Sequence, residues 1–88
     1  MPAVTIYTTP ICPYCTMAKR LLTSKAVPFK EIDVCRDGNA RAALVAKSGG
    51  RQTVPQIWIG ERHVGGCDDL YALDRGGELD ALLGSLRY

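Results

Sequence analysis

Residues 3–22, AVTIYTTPICPYCTMAKRLL, decide the fold. Their first part, AVTIY (3–7), is short, β-branched and aromatic, which suits a buried strand. A helix is then predicted to start near Pro13, because proline is favoured at the first helical position, where its missing N–H costs nothing. Tyr14, Met17, Ala18, Leu21 and Leu22 recur at helical spacing and predict a core-facing stripe through about residue 24. A strand therefore runs into a helix, and Cys12 and Cys15 fall at the junction.

Downstream, VPFKEIDV (27–34) reads as a second strand whose apolar phase slips between Phe29 and Ile32, through either a bulge or a change of burial. Asp37 or Asn39 is placed to cap a second helix carrying Ala40, Ala43 and Leu44, which Gly49 and Gly50 end. TVPQIWI (53–59) is a strand entered through proline, and Gly60-Glu61 is a two-residue hairpin signal from which RHVG returns antiparallel. After Gly65-Gly66, CDDLYALD predicts a short helix with Asp68 and Asp69 in its first turn, where carboxylates favour the dipole. Leu79, Leu82, Leu83 and Leu86 form a final helical stripe. The order β-α-β-α-β-β-α-α, with no repeat or linker, is that of a single α/β domain over residues 1–88. A right-handed crossover through the first helix makes the first two strands parallel.

Composition excludes several classes of function. A chain of 88 residues with 47% apolar and 23% charged residues has the balance of an ordinary globular domain. Its net charge of +2 is spread along the chain, so nucleic acid and anionic membranes are not expected as partners. No apolar run has the length of a membrane span. MPAVTIYTTP lacks the basic and apolar regions of a secretory signal, so a cytoplasmic location is expected. In that reducing setting four cysteines point to metal binding or catalysis rather than to structural staples.

With Cys12 as helix N-cap, Cys15 is the third helical residue, and the two share one face about 5–6 Å apart, within disulfide range. Cys12 then meets the unpaired N–H groups at the positive end of the helix, an environment that favours thiolate over thiol. Cys15, one turn in, is expected to be buried and to remain a thiol until needed. The pair reads as a reversible dithiol with an exposed attacker and a shielded resolver. A zinc site would need a second closely spaced pair, whereas Cys35 and Cys67 stand singly and His63 is the only histidine; no metal site is expected.

CPYC after the first strand, TVPQIWI in the middle and GGCDDL at a late helix start together resemble the glutaredoxin family, over essentially the whole chain. The likeness is to the small bacterial dithiol glutaredoxins. It implies a thioredoxin-like fold, a four-stranded mixed sheet flanked by helices. It also implies a glutathione-dependent thiol–disulfide oxidoreductase, acting on protein disulfides and glutathionylated proteins. Cys12 and Cys15 are then the catalytic thiols. The likeness further implies glutathione as a cosubstrate rather than a tightly bound cofactor, and a monomer is expected.

The same resemblance assigns a glutathione site. Thr53, Val54 and a cis Pro55 would face the thiols, with the Val54 backbone pairing with the peptide as a short added strand. Gly66, Cys67 and Asp68 would hold the γ-glutamyl end, through helix-start N–H groups and the Asp68 carboxylate. Tyr14 would border the groove, and Cys67 would lie beside it or serve as a small buried hydrophobe. Many glutaredoxins carry a lysine three residues before the first active cysteine; this chain has Thr9, so Arg51 and Gln56 are expected to share the glycyl carboxylate. Two other readings remain at this stage. One is a glutaredoxin-like electron donor regenerated by thioredoxin reductase, against which GGCDD and the tyrosine of CPYC speak. The other is a glutathione-assisted iron–sulfur carrier, against which the proline and second cysteine of CPYC speak.

Overall fold

A computed structural model describes residues 3–36, 38–51 and 53–83. Strand β1 (Val4–Thr8) leads into helix α1 (Pro13–Ser24), then β2 (Lys30–Asp33) and helix α2 (Gly38–Lys47). The hairpin β3 (Gln56–Ile59) and β4 (Arg62–Gly65) follows, and helices α3 (Cys67–Arg75) and α4 (Glu78–Leu82) close the described chain. The sheet order is β2-β1-β3-β4. β1 and β2 are parallel, with Tyr7 opposite Ile32, while β3 runs antiparallel to both β1 and β4. This is the four-stranded mixed sheet flanked by helices that the resemblance implied.

Strand alternation divides the core in two. Val4 and Ile6 of β1 and Ile57 and Ile59 of β3 join Ala18, Leu22, Leu70, Leu79 and Leu83 from α1, α3, α4 and the residue after α4. The intervening side chains, Tyr7 and Trp58, pack with Leu44 of α2 and with Val34, just after β2, in a second cluster. Each large side chain so buried contributes on the order of 1.5–3 kcal/mol. The two clusters resolve the phase slip in β2. Phe29 packs against the first and Ile32 against the second, so the strand changes the layer it serves and keeps continuous parallel pairing with β1.

Several boundaries and faces differ from expectation. The central column of α1 is Cys15, Ala18 and Leu22, whereas Tyr14 is 59% and Met17 43% exposed. The apolar stripe is wider than the face that the sheet covers, and its first edge turns outward. Asn39 lies inside α2 rather than capping it, and Asp37 and Leu86 lie outside the described residues. At the hairpin, Gly60 has φ +61°, the left-handed conformation that its glycine signal predicted.

Candidate functional site

The end of β1 delivers the chain through Thr9–Ile11 to Cys12, which is the N-cap of α1 in extended conformation. Its Sγ accepts a hydrogen bond from the Cys15 backbone N–H at 3.1 Å, satisfying one donor that a helix start leaves unpaired. Pro13 occupies the first helical position. Cys12 is half-buried, while Cys15 is 1% exposed. Burial first, and then the hydrogen bond with the Cys12 side chain, push the Cys15 thiol up to about 12. The pair is thus asymmetric: one sulfur faces outward at a helix start, and the other is held protonated behind it.

On the far side, the Val54–Pro55 peptide bond is cis, and the Cys12 thiol points at the Val54 carbonyl oxygen 3.9 Å away. From there an open cleft of about 170 Å³ runs over Tyr14, Thr53, Val54 and Pro55 to Gly66, Cys67, Asp68 and Asp69, with Arg51 on its rim. Gly66 lines it, and Gly65 at the end of β4 leads the chain to it. Gly65 has φ +115°, and a Cβ there would overlap the Asp69 carboxylate. Asp69 accepts the Gly66 N–H at 3.0 Å, the capping arrangement of an acid three residues into a helix. Cys67 and Asp68 stand in the first turn of α3, where N–H groups have no intrahelical partner, and both line the same cleft. Cys67 is 5% exposed and belongs to the core, where burial, then the Asp68 charge and Cys12, hold its thiol above its ordinary range.

Tyr14, Arg51, Thr53, Val54, Pro55, Gly66, Cys67 and Asp68 are therefore brought together beside Cys12. Gln56 is not. It is fully buried, and its amide contacts Thr53 and His63, so an expected contact with a carboxylate in solvent has no access there. Thr9 is also set apart, in a separate apolar hollow with Pro10, Ile11 and Cys35. The sequence reading missed Asp69 as a cleft residue, although its position three residues after the glycine N-cap is itself a capping signal. It also missed Ser48, whose buried hydroxyl meets both the N–H (3.1 Å) and the C=O (3.0 Å) of Arg51 and fixes where that residue leaves the backbone. Arg51 Nη1 in turn lies 4.0 Å from Asp69 Oδ2.

A dithiol at a helix start, facing a cis proline on a four-stranded mixed sheet, defines a thiol–disulfide oxidoreductase of thioredoxin-like fold. Comparison with known proteins is more specific. The glutaredoxin family model matches residues 4–64. The chain is 61% identical over 83 residues to a glutaredoxin of Pseudomonas aeruginosa, covering 94% of this chain and 98% of that protein. The solution structure of a glutaredoxin from Brucella melitensis superposes with a TM-score of 0.83 at 52% identity, covering 100% of this chain and 95% of that one. A buckwheat glutaredoxin–glutathione complex superposes with a TM-score of 0.85 at 31% identity, covering 96% of this chain and 78% of that one. The chain belongs to the glutaredoxin family.

Proposed function

We propose that this oxidoreductase is glutathione-dependent and that residues 1–88 act as one monomeric domain. It would reduce protein disulfides and glutathionylated mixed disulfides through Cys12 and Cys15. The observation that carries the reading is the continuity of the cleft with the Cys12 sulfur: the Val54 carbonyl beside the thiol is also a wall of the cleft. Glutathione is a peptide with two carboxylates and one amine. The cleft offers a peptide backbone at Val54, unpaired N–H groups and a carboxylate at Cys67–Asp68, and a guanidinium at Arg51. The buckwheat complex supports the same ligand by family likeness.

In the proposed reaction the Cys12 thiolate attacks one sulfur of a substrate disulfide. The new Sγ–S bond forms as the old S–S bond breaks, and its electron pair leaves on the departing sulfur, which is then protonated. With a protein disulfide, Cys15 loses its proton and attacks Cys12 Sγ, releasing the reduced protein and leaving a Cys12–Cys15 bond. One glutathione thiolate opens that bond and joins Cys12; a second attacks the mixed disulfide and leaves as oxidised glutathione. With a glutathionylated substrate, Cys12 takes the glutathione directly and a second glutathione regenerates it, without Cys15. A dithiol that must return to its reduced form in every cycle suits a reducing compartment such as the cytoplasm.

The test is turnover of a glutathionylated peptide with NADPH and either glutathione plus glutathione reductase or thioredoxin reductase alone. Turnover with the first system only is expected. Turnover with the second only would make the chain a thioredoxin-reductase-coupled donor instead.

A further inference from the structure

Gln56 opens β3 with its side chain 0% exposed, and a primary amide at that depth is tolerated only if both of its ends find partners. Both do. Nε2 donates to Thr53 Oγ1 at 3.1 Å, and Oε1 faces His63 Nε2 at 2.7 Å. With Oε1 as acceptor, His63 carries its proton on Nε2. The imidazole is also stacked on Trp58, with ring centres 4.5 Å apart and planes 20° from parallel. Trp58 is itself buried in the second core cluster. A fixed chain of contacts therefore runs from that core through His63 and Gln56 to Thr53, an exposed residue on the wall of the cleft.

We infer that Gln56 is a positioning residue for ligand recognition: it holds the Thr53 hydroxyl so that this group donates into the cleft. A hydroxyl has one proton and two lone pairs. Because Gln56 Nε2–H occupies a lone pair from behind, the proton of Thr53 is free to point the other way. The wall then selects a hydrogen-bond acceptor, a carboxylate or peptide oxygen of the bound glutathione. This rests on the reading of the cleft as the glutathione site. It gives Gln56 an indirect role in place of the direct carboxylate contact expected from sequence.

The experiment measures glutathione dependence for Gln56→Leu, Thr53→Val and the double variant, using a glutathionylated peptide with glutathione reductase. Each single variant should raise KM for glutathione roughly threefold to tenfold for a peptide-oxygen acceptor, and more for a carboxylate, with kcat nearly unchanged. The double variant should be no worse than Thr53→Val alone, since Gln56 acts through that hydroxyl. Additive losses, or a fall in kcat with KM unchanged, would overturn the assignment. If Gln56→Leu does not fold, Gln56→Asn keeps the amide but is one methylene too short to span both partners, and the same KM shift is expected. An unchanged KM in that variant overturns the proposal equally. Absence of glutathione turnover in the wild-type chain would instead bring down the glutathione reading itself, and this inference with it.

Discussion

Replacing Cys15 with serine should separate the two proposed activities. At about 12, the Cys15 thiol is ionised in only about one molecule in 100,000 at pH 7. Its deprotonated form is a correspondingly strong nucleophile, gaining about thirtyfold over a free thiol for a Brønsted slope of roughly 0.4–0.5. Cys15 also sits one helical turn from its target, with its backbone N–H already on Cys12 Sγ at 3.1 Å. Well-oriented intramolecular groups act at effective concentrations of about 10⁵ M or more. A free thiol is itself only about 3% ionised at pH 7, and combining these factors the buried thiol outpaces ~1 mM of it by about a millionfold. If the geometry realises only a thousandth of that, resolution of a protein mixed disulfide should still slow at least ~10³-fold in Cys15→Ser. The burial that raises the thiol persists once Cys12 is in a disulfide, whereas the hydrogen bond with the Cys12 side chain does not. In the mixed disulfide the ionised fraction of Cys15 is therefore at least this large.

The assay is a single turnover: a mixed disulfide preformed on Cys12, with release of the reduced protein followed at several pH values. In the wild-type chain release should rise close to tenfold per pH unit through the neutral range, because the attacking form is the minority species. In Cys15→Ser it should be slow and should depend on added glutathione. Removal of glutathione from a glutathionylated peptide should survive the substitution. Release at the wild-type rate in Cys15→Ser would refute the resolving role, and a pH-independent wild-type rate would refute the protonated state assigned to Cys15. Loss of both activities in a folded variant would mean that Cys15 is the attacking thiol or a required metal ligand.

Asp68→Ala should raise the glutathione concentration needed by removing a charge-assisted bond worth roughly 1.5–3 kcal/mol, while the first attack on a protein disulfide is preserved; equal losses in both steps would favour a simple helix-start role. Arg51→Ala should give a smaller, salt-sensitive rise in the same quantity, since the guanidinium is half exposed; a salt-independent effect would place the carboxylate elsewhere. Asp69→Ala removes the carboxylate that accepts the Gly66 N–H and should cost about 0.5–2 kcal/mol in urea unfolding; no change in the midpoint would show that water replaces it. The raised Cys15 thiol also makes stability depend on pH. The unfolded chain gives up that proton near 9.0 and the folded chain near 12, so stability is full below the lower value and falls as pH rises between them. The urea midpoint should therefore drop above pH 9 more steeply in the wild-type chain than in Cys15→Ser.

What was legible in the sequence was local. Cys12 as N-cap, Pro13 at the first helical position and the turn at Gly60 each follow from a residue type and its immediate neighbours, and each is found where expected. Helical spacing, by contrast, fixes which residues of α1 share a column but not which column meets the sheet. That depends on where α3 packs, and Tyr71 of α3 donates to the Met17 carbonyl at 3.1 Å along the flank occupied by the outward edge of the stripe. Tyr14 is thereby released from the core to the rim of the cleft.

Gln56 shows the same limit in a strand. By sequence Gln56 is a candidate for the cleft because it flanks TVP where Thr9 supplies no cation, and in a half-exposed strand a polar residue beside Ile57 would indeed face water. β3 lies inside the sheet between β1 and β4, with a packed cluster on each face, and all four of its residues are buried. Alternation along such a strand separates two cores, not core from solvent. A polar side chain there signals a partner rather than exposure, because an unpaired amide at that depth costs more than the strand gains by holding it. The partners are near in sequence: Thr53 three residues before and His63 seven residues after, across the hairpin. Once the strand is known to be covered on both faces, the polar residue in TVPQIWI marks a buried hydrogen-bond path to the cleft.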